Sequence, residues 1–248
     1  MIPDIVLVHG GGQGGWIWDE LLVAFKLQAG AKLRRVIALD VPGCDTKRGQ
    51  DTAGLGVADV VAALAAELDA LDVKEALLVG HSQAGTLLPG LITARPTRFA
   101  RAIYVACCAP LEGQTVGAMM GQGLRGTSKT EVGWPLDPAL VSHRELFAAA
   151  FCSDMDEAAA EAFLDRLGRD VWPVACALES SRWHYDAARM VPATYVVALR
   201  DNILPVVWQA RFAKRVHATR TVHIDAGHQA MMTRPHALAE ILLAEVAA

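Results

Sequence analysis

The sequence predicts an α/β fold with a mostly parallel central sheet and helices on both faces. Short apolar runs rich in β-branched residues, typical of buried strands, recur along the chain. Longer amphipathic stretches separate most of these runs, and this alternation favours parallel strands joined by crossover helices. The 248 residues are enough for one domain of this kind with a sizeable core, so we expect a single domain over 1–248.

Each predicted element follows from a local pattern. The apolar runs predict six strands, at 4–8, 35–39, 76–80, 102–107, 193–199 and 220–224. The amphipathic stretches predict four helices, at 18–29, 55–72, 206–216 and near 234–247. The alternation of strand and helix patterns is interrupted in the middle of the chain. Only helical patterns occur there, at 137–151, 154–169 and 172–189. We therefore expect a core of 1–110 and 191–248, interrupted by a helical insertion at 111–190.

Composition and charge exclude several classes of partner. The 23 basic and 27 acidic residues give a net charge of -4, and no basic stripe is present, which excludes a nucleic-acid-binding surface. No apolar run approaches the roughly 18 to 20 residues of a membrane span. The start, MIPDIVLVHG, has an acid at position 4 and no basic segment before its apolar run, so it indicates a first strand rather than a signal peptide. We expect a small-molecule partner, with monomer and homodimer both open.

Cysteine and histidine usage bears on compartment and cofactors. Five cysteines without CxxC spacing favour free thiols in a reducing cytoplasm over a disulfide framework. The eight histidines are scattered, and no Cys/His grouping has metal-ligand spacing. The glycine-rich loop GGGQGG lacks the Lys-Ser/Thr of a phosphate-binding loop, and no acid near position 35 completes a dinucleotide fingerprint. We therefore expect neither a metal nor a cofactor.

Three chemically active residues follow three different predicted strands, in the order serine, acid, histidine. Ser82 lies in VGHSQAG, between an apolar run and a helical pattern, where a sharp turn presents a hydroxyl at the end of a sheet. The pattern G-x-S-x-G is typical of such a turn. Here Ala84 stands in place of its second glycine, and Gly85 follows. A helix-capping serine is the alternative interpretation. Asp201 and His228 follow the last two strands.

These residue types are those that nucleophilic catalysis requires. A serine hydroxyl becomes a nucleophile when a base takes its proton, and an imidazole, which titrates at about pH 6.5, can do so. Asp201 would orient His228, although it could also cap the helix that follows it. Glu112, after the 102–107 strand, is a rival acid.

The motifs LVHGGGQGGWIW, LDVPG, GHSQAG, CCAP, RDNILP and AGHQAMM resemble those of the α/β-hydrolase superfamily. The sequence is most similar to its branch of small esterases, plant-type methylesterases and hydroxynitrile lyases, except over 111–190. The resemblance implies a triad of Ser82, Asp201 and His228, and an oxyanion hole from the backbone N–H groups of Gly11 and Gln83. It also implies that the insertion forms a helical cap over the site.

The insertion and the glycine-rich loop supply candidate pocket residues. We expect Trp16, Trp134, Trp183 and Met119 to line an apolar substrate pocket. No cationic cluster is present to hold a charged substrate. The sequence therefore predicts a serine hydrolase that cleaves a small, uncharged, largely apolar ester through an acyl-enzyme intermediate.

Related chemistries remain open. Amide, carbamate or lactone hydrolysis would use the same triad. The resemblance implies that a hydroxynitrile lyase would carry Lys and Thr where this chain has Gln229 and Gly11, which disfavours lyase chemistry. A cofactor-independent oxygenase and a non-catalytic small-ligand receptor are further alternatives. Dehalogenase and epoxide hydrolase chemistry would need an Asp at position 82.

Overall fold

The structure, a computed structural model, describes residues 2–179 and 183–246. Its six-stranded sheet is parallel throughout, in the order β2-β1-β3-β4-β5-β6. The strands are β1 Ile5–Val8, β2 Val36–Leu39, β3 Ala76–His81, β4 Phe99–Val105, β5 Ala193–Ala198 and β6 Arg220–Ile224. The predicted parallel α/β fold is confirmed. The chain order doubles back at β1, as in open sheets whose site lies beyond the strands' carboxyl ends.

The helices predicted outside the insertion lie within two residues of their expected bounds. In chain order the helices are α1 Asp19–Ala29, α2 Val57–Ala70, α3 Leu88–Ala94, α4 Val116–Met120, α5 His143–Phe151, α6 Glu157–Leu167, α7 Ala175–Leu178, α8 Val206–Arg215, α9 Ala230–Thr233 and α10 Pro235–Val246. Residue 247 of the last predicted helix lies outside the described residues. None of the described helices is long and apolar enough to cross a membrane.

Alternation along the strands gives the sheet two hydrophobic faces. In β1, Val6 and Val8 belong to one core, which contains buried side chains of α2, α3 and α8. Ile5 and Leu7 belong to the other core, which contains those of α1 and α10. Because successive strand residues point to opposite faces, continuous apolar strands need helices on both sides.

The chain between β4 and β5 contains α4 to α7, and it differs in detail from the predicted helices. The prediction of one helix over 172–189 was wrong. Only Ala175–Leu178 and a 3-10 turn at Tyr185–Met190 are helical, and 180–182 lie outside the described residues. His184, with φ +53°, adopts the left-handed conformation and interrupts a right-handed helix before the turn.

The helical pattern after Ser82 contains Pro89 and Gly90, two residues that weaken the interior of a helix. The structure places a 3-10 turn at Ser82–Thr86 and starts a new helix at Leu88, so Pro89 lies in a first turn, where its missing N–H costs nothing. Gly90 allows close packing of α3 on α2, since a Cβ there would lie 2.8 Å from Val61 Cγ2.

Candidate active site

Ser82, Asp201 and His228 meet at the carboxyl edge of the sheet, after β3, β5 and β6. His228 Nδ1–H donates to Asp201 Oδ2 at 2.7 Å, and Ser82 Oγ–H donates to His228 Nε2 at 2.9 Å. Because an ionised carboxylate only accepts hydrogen bonds, a neutral imidazole here carries its proton on Nδ1 and leaves Nε2 free to take another. This is the arrangement that activates a serine hydroxyl.

The turn at Ser82 is strained, and small neighbours make it possible. Ser82 has φ +53°, in the left-handed region that non-glycine residues seldom adopt. A Cβ on Gly85 would lie 2.2 Å from the carbonyl oxygen of Cys108. Ala84, in contrast, packs its methyl group into the buried core. The turn thus needs glycine at position 85 and accepts alanine at position 84.

Asp201 makes both of the contacts considered from the sequence. Its Oδ1 accepts the N–H groups of Ile203 and Leu204, at 2.9 and 2.8 Å, while Oδ2 binds His228. The rival acid Glu112 is exposed and lines a different cavity, beside Tyr185. Of the two candidate acids, the structure brings Asp201 to the histidine.

Two further histidines beside the site are buried in structural roles. His81 Nε2–H donates to the carbonyl oxygen of His228 at 3.0 Å, and burial together with the neighbouring His228 lowers the pKa of His81 well below its ordinary value. His9 accepts the N–H of Val41 at Nε2 and donates from Nδ1 to the carbonyl oxygen of Gly10. Burial also lowers the pKa of His9. Both rings are therefore neutral at neutral pH.

Two buried carboxylates hold the glycine-rich loop that follows β1. Asp40 accepts the N–H of Gly15 at 2.6 Å. Asp170, from the insertion, accepts Trp16 Nε1–H and the N–H of Asp45, each at 2.7 Å. Burial raises the pKa of Asp170, but the hydrogen bonds it accepts outweigh burial, and its pKa lies below the ordinary value. The loop's position therefore depends on charged groups distant in sequence.

A cavity of about 150 Å³ opens on Ser82. Its walls are mostly apolar, and the lining residues are Gly11, Ser82, Gln83, Cys108, Val116, Met119, Met120, Trp134, Phe151, Ile203 and Leu204. The predicted pocket residues Met119 and Trp134 are among them. Burial raises the pKa of the Cys108 thiol to about 12, so this thiol is neutral and unreactive at neutral pH.

The other two predicted pocket residues lie elsewhere. Trp16 packs against Phe163 and donates to Asp170, so its ring stabilises the glycine-rich loop. Trp183 is buried and donates from Nε1 to the carbonyl oxygens of Leu111 and Gln114. Both indole N–H groups are satisfied by protein acceptors, and neither residue is among those that line the cavity.

Gly11 and Gln83, the residues of the predicted oxyanion hole, both line the same cavity. Gln83 is the second residue of the 3-10 turn, where backbone N–H groups have no partner within the helix. The Gln83 side chain crosses Gly11, since a Cβ on Gly11 would lie 2.2 Å from Gln83 Oε1. Its Nε2–H donates to the carbonyl oxygen of Cys176 at 3.3 Å. The turn is thereby tied to the insertion.

Sequence reasoning missed two polar contacts from the insertion to the site. Asp154 Oδ2 accepts the N–H of Gly227, next to His228, at 2.8 Å. Arg125 donates to the side chain and the carbonyl oxygen of Asn202, next to Asp201. Both pairs are more than seventy residues apart in sequence. The motif patterns carried no signal for either.

The fold and the geometry at Ser82 define the chain as an α/β hydrolase. The alpha/beta hydrolase family matches residues 5–241, and the chain belongs to this family. The resemblance inferred from the motifs is confirmed.

Plant esterases are among the similar sequences. Methylesterase 10 of Arabidopsis thaliana is 26% identical over 100% of this chain and 92% of its own length. An Arabidopsis thaliana protein whose name places it among chloroplastic methylesterases is 25% identical over 96% of this chain, and the chain spans 62% of its length.

Among solved structures, polyneuridine aldehyde esterase is 20% identical, with a TM-score of 0.74 and 99% of both chains covered. An extracellular α/β-hydrolase from Paenibacillus is 19% identical, with a TM-score of 0.76 and 98% of both covered. At these identities, the structural matches show a shared fold.

Proposed function

We propose that the protein is a serine hydrolase that cleaves small, uncharged carboxylic esters through an acyl-enzyme intermediate. The observation that carries this proposal is the hydrogen-bonded series from Ser82 through His228 to Asp201, opening on a mostly apolar cavity. The esterase names of similar proteins support it. A receptor would have no need of this series, so a non-catalytic role is disfavoured.

The proposed reaction has two halves with the same proton acceptor. Ser82 Oγ attacks the ester carbonyl carbon while His228 Nε2 takes its proton, and the alcohol leaves with that proton as the tetrahedral intermediate collapses. A water molecule then attacks the carbonyl carbon of the acyl-enzyme and gives a proton to Nε2. The acid leaves as Nε2 passes this proton to Ser82 Oγ. Asp201 stabilises the imidazolium in both halves. The N–H groups of Gly11 and Gln83 are the proposed donors to the oxyanion.

The dimensions of the site favour a small neutral substrate. The inner cavity, at about 150 Å³, is well below the roughly 300–1,000 Å³ of sites for drug-sized ligands. Val116, Met120 and Trp134 also line an outer cleft of about 820 Å³, which offers room for the second half of an ester. Among the described residues of that cleft, Glu131 is the charged one, and its carboxylate would repel an anionic substrate. In this proposal the insertion is the cap of the site.

The neighbouring chemistries are less well supported. Gln229, where the lyases of this branch would carry Lys, is fully buried and is not among the residues that line the cavity. All five cysteines are free and buried, which fits a reducing compartment. A cytoplasmic location and the lack of a metal or cofactor stay predictions.

The test compares wild type with Ser82→Ala on short-chain p-nitrophenyl esters and on matched neutral and anionic methyl esters. We expect kcat to fall by at least about 1,000-fold in the variant, because the nucleophile is lost. A fluorophosphonate probe should label Ser82, as read by mass spectrometry. An unlabelled Ser82 with retained activity would overturn the mechanism, and a preference for anionic esters would overturn the proposed substrate class.

A further inference from the structure

A partly buried arginine of the insertion contacts the loop that carries Asp201. Arg125 Nη1–H donates to Asn202 Oδ1 at 3.3 Å, and Nη2–H donates to the carbonyl oxygen of Asn202. The backbone N–H of Arg125 donates to the carbonyl oxygen of Trp134 at 2.9 Å. Arg125 therefore joins a residue of the cavity wall to the neighbour of the proposed catalytic acid.

The loop is held from a second side by α5. Asn202 Nδ2–H donates to the carbonyl oxygen of Ala149 at 2.6 Å. Ala149 lies two residues before Phe151, whose ring lies 5.6 Å from the ring of His228. Without Arg125, the two acceptors of its guanidinium on Asn202 would lose this donor, while the side chain of Asn202 would keep its contact with α5.

The charge of Arg125 acts on the same loop. Burial lowers the pKa of Arg125, and the negative charge of Asp201 raises it. The two groups therefore interact electrostatically through a partly desolvated region, where charges are poorly screened. A guanidinium keeps its proton in proteins, so this positive charge is permanent.

We propose that Arg125 is a positioning residue for the proposed hydrolysis, holding the Asp201 loop so that Oδ2 stays on His228 Nδ1. The positive charge of Arg125 also disfavours the addition of a proton to the His228–Asp201 pair. This inference rests on the proposed function. Among the described residues, the other titratable or charged groups around the pair are His81, Tyr195, Asp154 and the Arg200–Asp225 ion pair, and none is altered in the test below.

The test measures pH profiles of kcat/KM for wild type, Arg125→Gln and Arg125→Lys. In the glutamine variant we expect kcat to fall about tenfold with KM within about twofold, because positioning acts on the reaction step. The acid limb should move up by about half a pH unit, since protonation of the pair becomes easier without the cation. The lysine variant keeps the charge but lacks the two-pronged donor, so its acid limb should coincide with wild type while kcat falls.

Arg144→Gln is the matched control, because Arg144 is exposed on the same insertion and pairs with Glu161 and Asp165. It should match wild type in kcat and in pH profile. NMR titration of His228 in each folded variant gives a readout independent of turnover, and the glutamine variant should titrate at higher pH. Titration at the wild-type pH in Arg125→Gln would overturn the electrostatic role. If that variant does not fold, an unchanged kcat in the lysine variant would overturn the positioning role. Absence of ester hydrolysis in wild type would instead contradict the proposed function.

Discussion

At the scale of single residues, the site depends on close contacts around the serine turn. The left-handed Ser82 and the position of Gly85 against Cys108 leave no space for added atoms. The N–H of Cys108 donates to the carbonyl oxygen of Ser82 at 3.0 Å, so a shift at Cys108 would move the proposed nucleophile. Strain of this kind persists only where the surrounding packing holds it.

Gly85→Ala and Ala84→Gly form a matched pair that tests which position needs glycine. Gly85→Ala forces a methyl group against the carbonyl of Cys108, so we expect a loss of about 1–3 kcal/mol in the free energy of unfolding and a fall in kcat. Ala84→Gly loses a buried methyl group and gains backbone entropy in the unfolded chain, so it should cost about 1–2 kcal/mol, and it should keep kcat near wild type. Urea unfolding and steady-state kinetics measure both. Equal effects in the two variants would contradict this account of the turn.

The positions of Ser82, Asp201 and His228 could be predicted from sequence because each follows a recognisable strand. Parallel strands bring their carboxyl ends to one edge, so three separate motifs imply one meeting point. Arg125 and Asp154 could not be predicted in the same way. Their partners, Asn202 and Gly227, are set by how the insertion folds over the sheet, and no local pattern records that arrangement.

At the scale of elements, the insertion holds the loops of the site and also contributes residues to the wall of its cavity. Asp170 binds the glycine-rich loop, Asp154 binds the loop before His228, and Arg125 binds the loop after Asp201. The helices of the sheet's two faces were predictable because long amphipathic patterns specify them. The insertion's short helices, such as α7, depend on tertiary contacts that override weak local preferences.

Comparison of Asp154→Ala with Asp156→Ala distinguishes the loss of a contact at the site from the loss of a helix cap. Asp154 accepts Gly227 N–H and Thr233 Oγ1–H, each at 2.8 Å, so its loss should lower kcat about tenfold and unfolding stability by about 1–3 kcal/mol. Asp156 caps α6 through the N–H of Ala159. Its loss should cost about 1 kcal/mol with unchanged kcat. A similar kcat in both variants would show that Asp154 does not position the histidine loop.

At the scale of the whole molecule, two hydrophobic cores enclose a sheet whose carboxyl edge contains buried polar groups. His9 and His81 are fully buried, with pKa values lowered chiefly by burial. An unfolded chain exposes both rings to water, where a histidine titrates at about pH 6.5. Between that pH and the lower pKa in the folded state, the unfolded chain binds more protons, so its free energy falls relative to the folded protein as the pH drops.

His81→Gln tests this linkage. Each buried histidine should contribute a slope of up to about 1.4 kcal/mol per pH unit below pH 6.5, in the direction of lower stability at lower pH. The effect is therefore absent above the unfolded-state pKa, and stability is lost as the pH falls from that value to the lower pKa of the folded state. The glutamine amide can still donate to the carbonyl oxygen of His228, which limits other changes.

Urea unfolding at pH 7.5, 6.5 and 5.5 should give a shallower pH dependence in His81→Gln than in wild type. His236→Gln, at an exposed position on α10, should keep the wild-type slope because that side chain lies in water in both states. A slope unchanged in His81→Gln would mean that the folded protein takes up the proton at His81 as readily as the unfolded chain.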